Sequence, residues 1–369
     1  MNLTLHLTNR CNLKCKYCFV APGLERMTRE VAYQAVKLCM EKNKISGLLF
    51  YGGEPLLEKE LIYNIVAHTQ EINKDTGFNF FYKITTNGTL LDEEFLKFSK
   101  KINMSIGFSH DGPAQNDNRL FYNGDGSFDI LEEKIALLLK YQPYAVGMSV
   151  VDSSTVHKAA DTVKFLHDKG FRYITMNLNY DPKAQWTTKH LDILKNEYRK
   201  IAEMYLKWTR REEKFYLSPF DLKILSHLKG DKYNEDRRFM NRMQPSIAPD
   251  GMIFSGSRYV DFPKFSIGNV FTGIDEEKRK FLEDKGAIPP EPCRKCAIKS
   301  RCNYVYDHLN CHGKDMATEI SPVQCAHEQI ITPIADDVAA KLYRQRNAMF
   351  IHKHYNQMYS VMSLFEDGG

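Results

Sequence analysis

The chain has 369 residues, of which 43% are hydrophobic and 26% are charged. This composition is typical of globular proteins, and the length predicts about two or three domains with a large apolar core. The 51 basic and 46 acidic residues nearly cancel, which argues against a nucleic-acid binder with a clustered basic excess. No segment approaches the roughly 18 apolar residues of a membrane span, and the N-terminal residues lack the pattern of a secretion signal.

Strand and helix patterns alternate over the first half of the chain. Strand patterns cover residues 3–7, 47–51, 80–85, 104–109, 145–151 and 173–178. Helix patterns cover residues 29–40, 58–71, 92–101, 128–140 and 156–169. Because such alternation gives parallel strands with right-handed helical crossovers, we predict an α/β fold. Six units fit either a partial (β/α)6 TIM barrel or an open doubly wound sheet.

Residues that can take part in binding or catalysis follow each of the first four predicted strands. In chain order these segments are Cys11, Gly52-Gly53-Glu54-Pro55, Thr86-Asn87-Gly88 and Ser109-His110-Asp111. Functional side chains of parallel β/α folds gather at the C-terminal ends of the strands, so these segments should ring one mouth. Polar chemistry at every strand end, rather than at one switch point, favours the partial barrel.

The second half of the chain predicts a bridge and a smaller C-terminal domain. An amphipathic pattern predicts a long helix over residues 188–210, and a turn signal at Pro249-Asp250-Gly251 predicts a hairpin over residues 247–270. A last helix is expected over residues 334–358. We therefore divide the chain into a barrel (1–185), a helical bridge (186–245) and an auxiliary domain (246–369).

Nine cysteines lie in two distant groups, which is unlike the disulfide framework of a short secreted chain. Clustered thiols in a reducing cytoplasm indicate metal instead. Cys11, Cys15 and Cys18 form C-x3-C-x2-C directly after the first strand. Three thiolates can hold three irons of a cubane and leave the fourth iron open, whereas structural zinc needs four ligands and only distant His6 is available. Cys39 shares an apolar helical face and is expected to be a core residue.

The cysteine loop and the following Gly-Gly-Glu-Pro together resemble the radical S-adenosyl-L-methionine (SAM) enzymes. In that family the open iron of a 4Fe–4S cluster chelates SAM, whose cleavage gives a 5′-deoxyadenosyl radical that abstracts a substrate hydrogen. The resemblance implies that Cys11, Cys15 and Cys18 hold this cluster. It also implies an electron donor such as flavodoxin or ferredoxin.

The same resemblance implies contacts to SAM near the first two strands. Tyr17 stands where the family places an aromatic residue near adenine. Gly52, Gly53 and Glu54 match the motif that holds the SAM amino group, with the glycines permitting close backbone approach. A plain turn before a helix is the alternative interpretation of the glycine pair.

Further SAM contacts are implied after the third and fourth strands. Asn87 lies in a segment resembling the family's TNG, although a simple β-turn would also explain it. Ser109 and Asp111 would bond the ribose hydroxyls, and Arg119 would pair with the SAM carboxylate. A solvated surface arginine is the alternative for Arg119.

The C-terminal cysteines are Cys293, Cys296, Cys302, Cys311 and Cys325. C-x2-C-x5-C is compatible with a zinc ribbon, but only one C-x2-C pair is present. The segment resembles the SPASM extension of peptide-modifying radical SAM enzymes. That pattern implies one outer auxiliary 4Fe–4S cluster on Cys293, Cys296, Cys302 and Cys325.

An inner auxiliary cluster would need cysteines where Ser255 and Tyr306 stand, so we predict that it is absent. Cys311 is then unassigned. A structural cysteine is the plainest interpretation, and a spare thiol, an alternative ligand or a hydrogen-atom donor in catalysis are the others.

The resemblance implies a maturase of a ribosomally made peptide, forming a thioether or another side-chain cross-link. Alternatives are an anaerobic sulfatase-maturating enzyme that makes formylglycine, a peptide epimerase that uses Cys311, and a non-enzymatic zinc-stabilised binding protein. The peptide is expected to add as a strand to the hairpin edge near residues 252–259. Because the chain starts at the first strand, leader recognition would fall to the barrel, the bridge or another protein.

Overall fold

The computed structural model describes residues 2–40, 45–241, 244–287, 291–303 and 321–355. The strands are β1 (Leu3–His6), β2 (Leu13–Cys15), β3 (Ile45–Tyr51), β4 (Asn79–Thr86), β5 (Ser105–Ser109), β6 (Arg119–Phe121), β7 (Val146–Val151), β8 (Tyr173–Leu178), β9 (Tyr216–Ser218), β10 (Ser246–Ile247), β11 (Met252–Phe254), β12 (Ser266–Asn269) and β13 (Gly273–Ile274). The helices are α1 (Arg29–Met40), α2 (Lys59–Thr76), α3 (Glu93–Lys101), α4 (Gln115–Asn118), α5 (Phe128–Tyr141), α6 (Ala159–Asp168), α7 (Thr188–Arg210), α8 (Phe220–Asn241), α9 (Glu276–Ala287), α10 (Glu291–Arg294), α11 (Pro322–Arg344) and α12 (Ala348–Tyr355). None of these helices combines the length and apolar character needed to cross a bilayer.

The six predicted barrel strands are parallel and lie side by side in the order β1-β3-β4-β5-β7-β8. The order advances in one direction from β1, so the sheet lacks the reversal that defines a doubly wound fold. The partial barrel prediction is therefore confirmed. One short parallel strand, β9, was missed, and it extends the sheet beyond β8. The pairing of β10 with β1 at the other end of the sheet was not predicted either.

Each barrel strand has an outer face against the helices and an inner face toward the barrel interior. On β3 the hydroxyl of Ser46 donates to the carbonyl oxygen of Cys39 in α1, and on β4 the hydroxyl of Tyr82 bonds Thr69 of α2 at 2.7 Å. Because successive side chains alternate, Tyr51 lies on the inner face, where its ring meets that of His6 at 5.2 Å. The inner face is thus separate from the packed core under the helices.

The C-terminal hairpin continues the barrel sheet, but it does not offer the edge expected from the sequence. The turn at Pro249-Asp250-Gly251 joins β10 to β11, as predicted. However, β11 pairs with β10 on one side and with β12 on the other. A peptide therefore has no open edge at Met252–Phe254, and the end of the described sheet on this side is β13. The expected strand addition near residues 252–259 is wrong.

The predicted helix over residues 334–358 is also wrong at its start. The observed α11 begins at Pro322, where the Ser321 hydroxyl and the Gln324 side chain form a reciprocal capping box. It ends at Arg344, before the positive φ of Arg346 (49°), and α12 follows. Residues 356–358 lie outside the described part of the chain.

Buried polar contacts fasten α11 to the barrel and bridge. Its His327 ring bonds the hydroxyls of Tyr180 and Tyr198, and burial lowers the pKa of His327 to about 3, which keeps the ring neutral. Its Glu328 forms an ion pair with Lys223 of α8, and both side chains are 1% exposed. These contacts fix the position of the first turn of α11, which carries Cys325.

We predict that Glu328→Leu lowers the free energy of unfolding by about 3 kcal/mol, because the Lys223 ammonium stays buried without its carboxylate. The double change Lys223→Met/Glu328→Leu should recover most of this loss, since no buried charge remains. Chemical denaturation measures both. Lys341→Met, which removes a half-exposed pair with Asp337, is the control and should have little effect. A double variant as unstable as the single one would contradict the assignment.

Candidate active site

The three-cysteine loop lies at the C-terminal end of β1 and is held from two sides. On one side, the backbone amides of Gly53 and Glu54 donate to the carbonyl oxygens of Thr8 and Arg10, both at 2.8 Å. On the other side, β2 pairs with β6, which sets Cys15 opposite Arg119. The prediction that the segments after β1, β3 and β5 come together at one mouth is confirmed.

The glycine pair after β3 allows this close backbone approach. Gly52 has a φ of 131°, which favours glycine, and Gly53 has no room for a side chain. A Cβ at position 53 would lie 2.6 Å from the carbonyl carbon of Arg10. The backbone that approaches the glycines in this structure is that of the cysteine loop.

Glu54 is fully buried and ties the end of β4 to the turn after β3. One carboxylate oxygen accepts from the amide of Leu56 (3.0 Å) and the hydroxyl of Thr86 (2.6 Å), and the other accepts from the amide of Asn87 (2.7 Å). A carboxylate has about four acceptor positions, so one remains for a cation such as an amino group. Burial raises the pKa of Glu54 to about 7, against the effect of these donors.

Asn87 contacts the cysteine loop as well as its own turn. Its side-chain amide lies 3.7 Å from the Cys11 sulfur and donates to the Asn12 side chain at 2.8 Å. Its side-chain oxygen accepts from the amide and hydroxyl of Thr89, as in an Asx turn. The turn interpretation of Asn87 is confirmed, and its contact with SAM stays a prediction, although the turn does present the amide to the cysteine loop.

Asp111 joins the residues at the other side of the loop. One of its oxygens accepts from the Arg119 Nε (3.1 Å) and from the Tyr17 hydroxyl, and the other accepts from the amide of Val150 (2.9 Å). The carboxylate is 1% exposed. These three donors leave Asp111 about one acceptor position, so its contact with a ribose hydroxyl stays a prediction. Ser109, two residues earlier, ends β5 on the inner face and is half-buried.

Arg119 is buried, at 8% exposure, which excludes the surface-arginine interpretation. Desolvation opposes its charge, but the attraction of Asp111 outweighs it and raises the pKa of Arg119 above its usual value. The guanidinium lies 5.2 Å from the centre of the Tyr17 ring. Burial raises the pKa of the Tyr17 phenol, which therefore stays a donor to Asp111.

The donor set of the loop fits an iron–sulfur cluster better than a single zinc ion. Burial raises the pKa of Cys11 to about 12 and also raises those of Cys15 and Cys18, and the three thiols repel one another as thiolates. They need metal charge to ionise. Among the described residues, no three His, Cys, Asp or Glu side chains converge on the position of one ion. Three thiolates in one loop can bind three irons of a cubane, whereas a structural zinc ion needs four ligands.

The C-terminal cysteines approach one another across two elements. Cys293 and Cys296 flank the end of α10, and Cys325 stands in the first turn of α11. Burial raises the pKa of Cys293, and the neighbouring Cys325 and Cys296 raise it further, as expected for a shared site. Cys302 is buried on the same short segment. Tyr306 and Cys311 lie outside the described residues.

Outside these clusters, the sequence predicts one further residue correctly and gives no sign of two others. Cys39 is buried in the core, as predicted. Asp261 was missed: its carboxylate accepts from the amide of Ala21 at 2.9 Å and so fastens the C-terminal segment to the cysteine loop. Phe19 was also missed, and it stacks on Tyr51 at 6.0 Å with Arg258 over its other side. No sequence pattern marks these contacts, because they join segments more than 30 residues apart.

Comparison with known proteins finds relatives of this chain. Residues 5–177 match the Radical SAM superfamily. An uncharacterized protein of Methanocaldococcus jannaschii is 30% identical over 246 residues, which cover 63% of this chain and 83% of the relative. The cysteine-type anaerobic sulfatase-maturating enzyme of Clostridium perfringens is 27% identical over 337 residues, which cover 84% of this chain and 90% of the relative.

A solved structure described as native anSMEcpe with bound AdoMet and Cp18Cys peptide shares the fold. Its TM-score is 0.76 at 22% identity, and the match covers 93% of this chain and 100% of that chain. Residues 5–177 belong to the radical SAM superfamily, and the chain is an enzyme. Membership implies SAM and one 4Fe–4S cluster as cofactors.

We predict that Gly53→Ala removes the loop cluster, because the added Cβ displaces the Arg10 carbonyl and with it the cysteine loop. After anaerobic reconstitution, iron should fall by about four atoms per chain, the content of one cubane. Gly256→Ala is the control, since its Cβ would make only ordinary contacts with Tyr259 at 3.4 Å. Full iron content in Gly53→Ala would contradict the proposed packing.

We predict that SAM binding weakens as the pH falls through about 7, the raised pKa of Glu54. Below that pH the carboxyl is protonated and no longer attracts the SAM amino group as a carboxylate does. Affinity should fall by up to about tenfold per pH unit, measured by equilibrium dialysis with reconstituted enzyme. Glu54→Gln should bind weakly at all pH values, without this dependence. The same pH dependence in both proteins would assign it to another group.

Proposed function

We propose that this enzyme is a peptide or protein maturase that oxidises a substrate side chain by two electrons. The observation that carries the proposal is the placement of the three-cysteine loop at the mouth of the barrel, held by Glu54, Asn87 and Arg119. When bound, the cluster and SAM supply a 5′-deoxyadenosyl radical, and a second cluster supplies an electron acceptor. The residues of the chain then bind SAM and substrate and position them for hydrogen abstraction.

The chain's own residues divide into ligands and positioning residues. Cys11, Cys15 and Cys18 would hold the loop cluster, and Glu54 would receive the SAM amino group at its remaining acceptor position. Arg119 donates its Nε–H to Asp111 and also hydrogen-bonds Cys15, and its remaining N–H groups would pair with the SAM carboxylate. Asp111 thus acts by positioning Arg119 and Tyr17.

Other residues would contact the remaining parts of SAM or bind a second cluster. Ser109 on the inner face would bond a ribose hydroxyl, and Tyr17 would lie near adenine. Cys293, Cys296, Cys302 and Cys325 would hold one outer auxiliary 4Fe–4S cluster, supported by the mutual approach of three of them. We retain the division into barrel (1–185), bridge (186–245) and auxiliary domain (246–369). Flavodoxin or ferredoxin is the proposed donor, and the reducing cytoplasm is the proposed compartment for these thiols.

The first candidate product is a thioether or other side-chain cross-link in a ribosomally made peptide. Ser255, which directly follows β11, supports a departure from maturases with two auxiliary clusters. The second candidate is formylglycine, supported by the likeness to a sulfatase-maturating enzyme over most of the chain. Both require the same hydrogen abstraction and differ in the fate of the oxidised side chain.

Co-expression with the short peptides encoded beside the gene, followed by mass analysis, distinguishes these products. Loss of two hydrogens with linked fragments identifies a cross-link, and exchange of a cysteine thiol for a carbonyl oxygen identifies formylglycine. Cys15→Ala should abolish both the product and 5′-deoxyadenosine, whereas Cys39→Ala, a core change, should retain them.

The iron content checks the cofactor assignment in the same preparation. We predict about eight irons per chain, and about four in Cys293→Ala. Zinc without labile sulfide, or 5′-deoxyadenosine from Cys15→Ala, would contradict the proposed function. An unchanged peptide mass with inverted stereochemistry would instead identify an epimerase.

A further inference from the structure

Lys83 stands in the middle of β4 on the inner face of the barrel. Its neighbours Tyr82 and Ile84 are buried on the outer face, where Tyr82 bonds Thr69 of α2. Side chains alternate along a strand, so Lys83 faces the opposite way. The register sets it between Leu49 of β3 and Ser105 of β5, neither of which is charged. The ammonium group therefore belongs to the barrel interior, below the mouth that the cysteine loop occupies.

Lys83 is the only Asp, Glu, Lys or Arg in any of the six parallel barrel strands. The inner face around it carries uncharged side chains, among them Phe81 and Thr85 on the same strand. His6, the only imidazole on these strands, is neutral because burial lowers its pKa to about 3. The side chains of these six strands thus bring one positive charge to the interior, among neutral neighbours.

No carboxylate of the described chain pairs with Lys83, and its Nζ makes no hydrogen bond there, although solvent reaches the side chain. The surrounding protein desolvates the ammonium and lowers its pKa. The structure thus places a cation where protein contacts disfavour it, in contrast to Lys223, whose buried ammonium meets Glu328. The backbone pairing of β4 does not require a lysine at this position, so the side chain is available to a ligand.

We propose that Lys83 binds a carboxylate of the substrate, close to the side chain that is oxidised. This inference rests on the proposed function and specifies its substrate class: a peptide with an acidic residue beside the modified position, or one modified near its free C-terminus. A charge-assisted bond in this partly desolvated interior should strengthen binding by about tenfold. The inner face offers such a peptide no second charged group on these strands.

Three fluorescein-labelled peptides, each with one cysteine, test the charge and its source. The first has Asp beside the cysteine and an amidated C-terminus, the second has Asn and a free C-terminus, and the third has Asn and an amidated C-terminus. Fluorescence anisotropy measures their binding to reconstituted enzyme. We expect the first or the second to bind about tenfold more tightly than the third, which also identifies the carboxylate that is recognised.

Variants then assign the preference to Lys83. Lys83→Met should abolish it, Lys83→Arg should keep it, and Lys83→Glu should prefer a peptide with Lys beside the cysteine. Lys101→Met, at an exposed end of α3, is the matched control and should behave as wild type. Unchanged binding of the third peptide shows that Lys83→Met is folded.

Equal binding of all three peptides to the wild type, or a preference that persists in Lys83→Met, would overturn the inference. Failure of the proposed function gives a different result. A wild-type enzyme that forms no 5′-deoxyadenosine from SAM would contradict the function itself, whereas one that does so without any carboxylate preference contradicts only the role of Lys83.

Discussion

The buried carboxylate of Asp111 is the contact on which the mouth of the barrel depends. It links the end of β5 to the amide of Val150 in β7, to the guanidinium of Arg119 and to the phenol of Tyr17. Arg119 begins β6, which pairs with the strand that carries Cys15. Removing one partner of a buried ion pair leaves the other charge uncompensated and costs several kcal/mol. The shape of the cysteine loop is therefore set by a residue nearly 100 positions away.

Backbone contacts of Gly53 and Glu54 hold the cysteine loop from the opposite side, without a charged group. Gly53 approaches the loop so closely that no side chain fits, and Glu54 joins this turn to the end of β4. Between the contacts of Asp111 and those of Gly53 lie three thiols whose pKa values are raised by burial. A protein that fixes protonated thiols at such positions gains little from them without metal, because only metal charge offsets the desolvation of thiolates.

Local patterns predicted the elements of the barrel well, because each helix and strand has its own apolar periodicity. The helix over residues 29–40 matches α1 at both ends. A strand of three residues carries no such signal, so β9 was missed, and the pairing of β10 with β1 was not predicted. The start of α11 was missed although Ser321 and Gln324 form a recognisable capping signature. The wrong hairpin edge has another cause: which strand pairs on which side is decided by tertiary structure.

Site residues were predictable by position, whereas their roles depended on contacts that the sequence does not contain. Asp111 was placed correctly at the mouth, yet its oxygens serve Arg119, Tyr17 and a backbone amide. No sequence pattern marks Lys83 as a functional residue, because a single lysine in a strand is common. Its meaning comes from comparison with Lys223, the buried lysine that the fold does compensate. Among the described residues Lys83 has no acidic partner, and it lies on the inner face of the barrel, which is why we propose that a substrate carboxylate pairs with it.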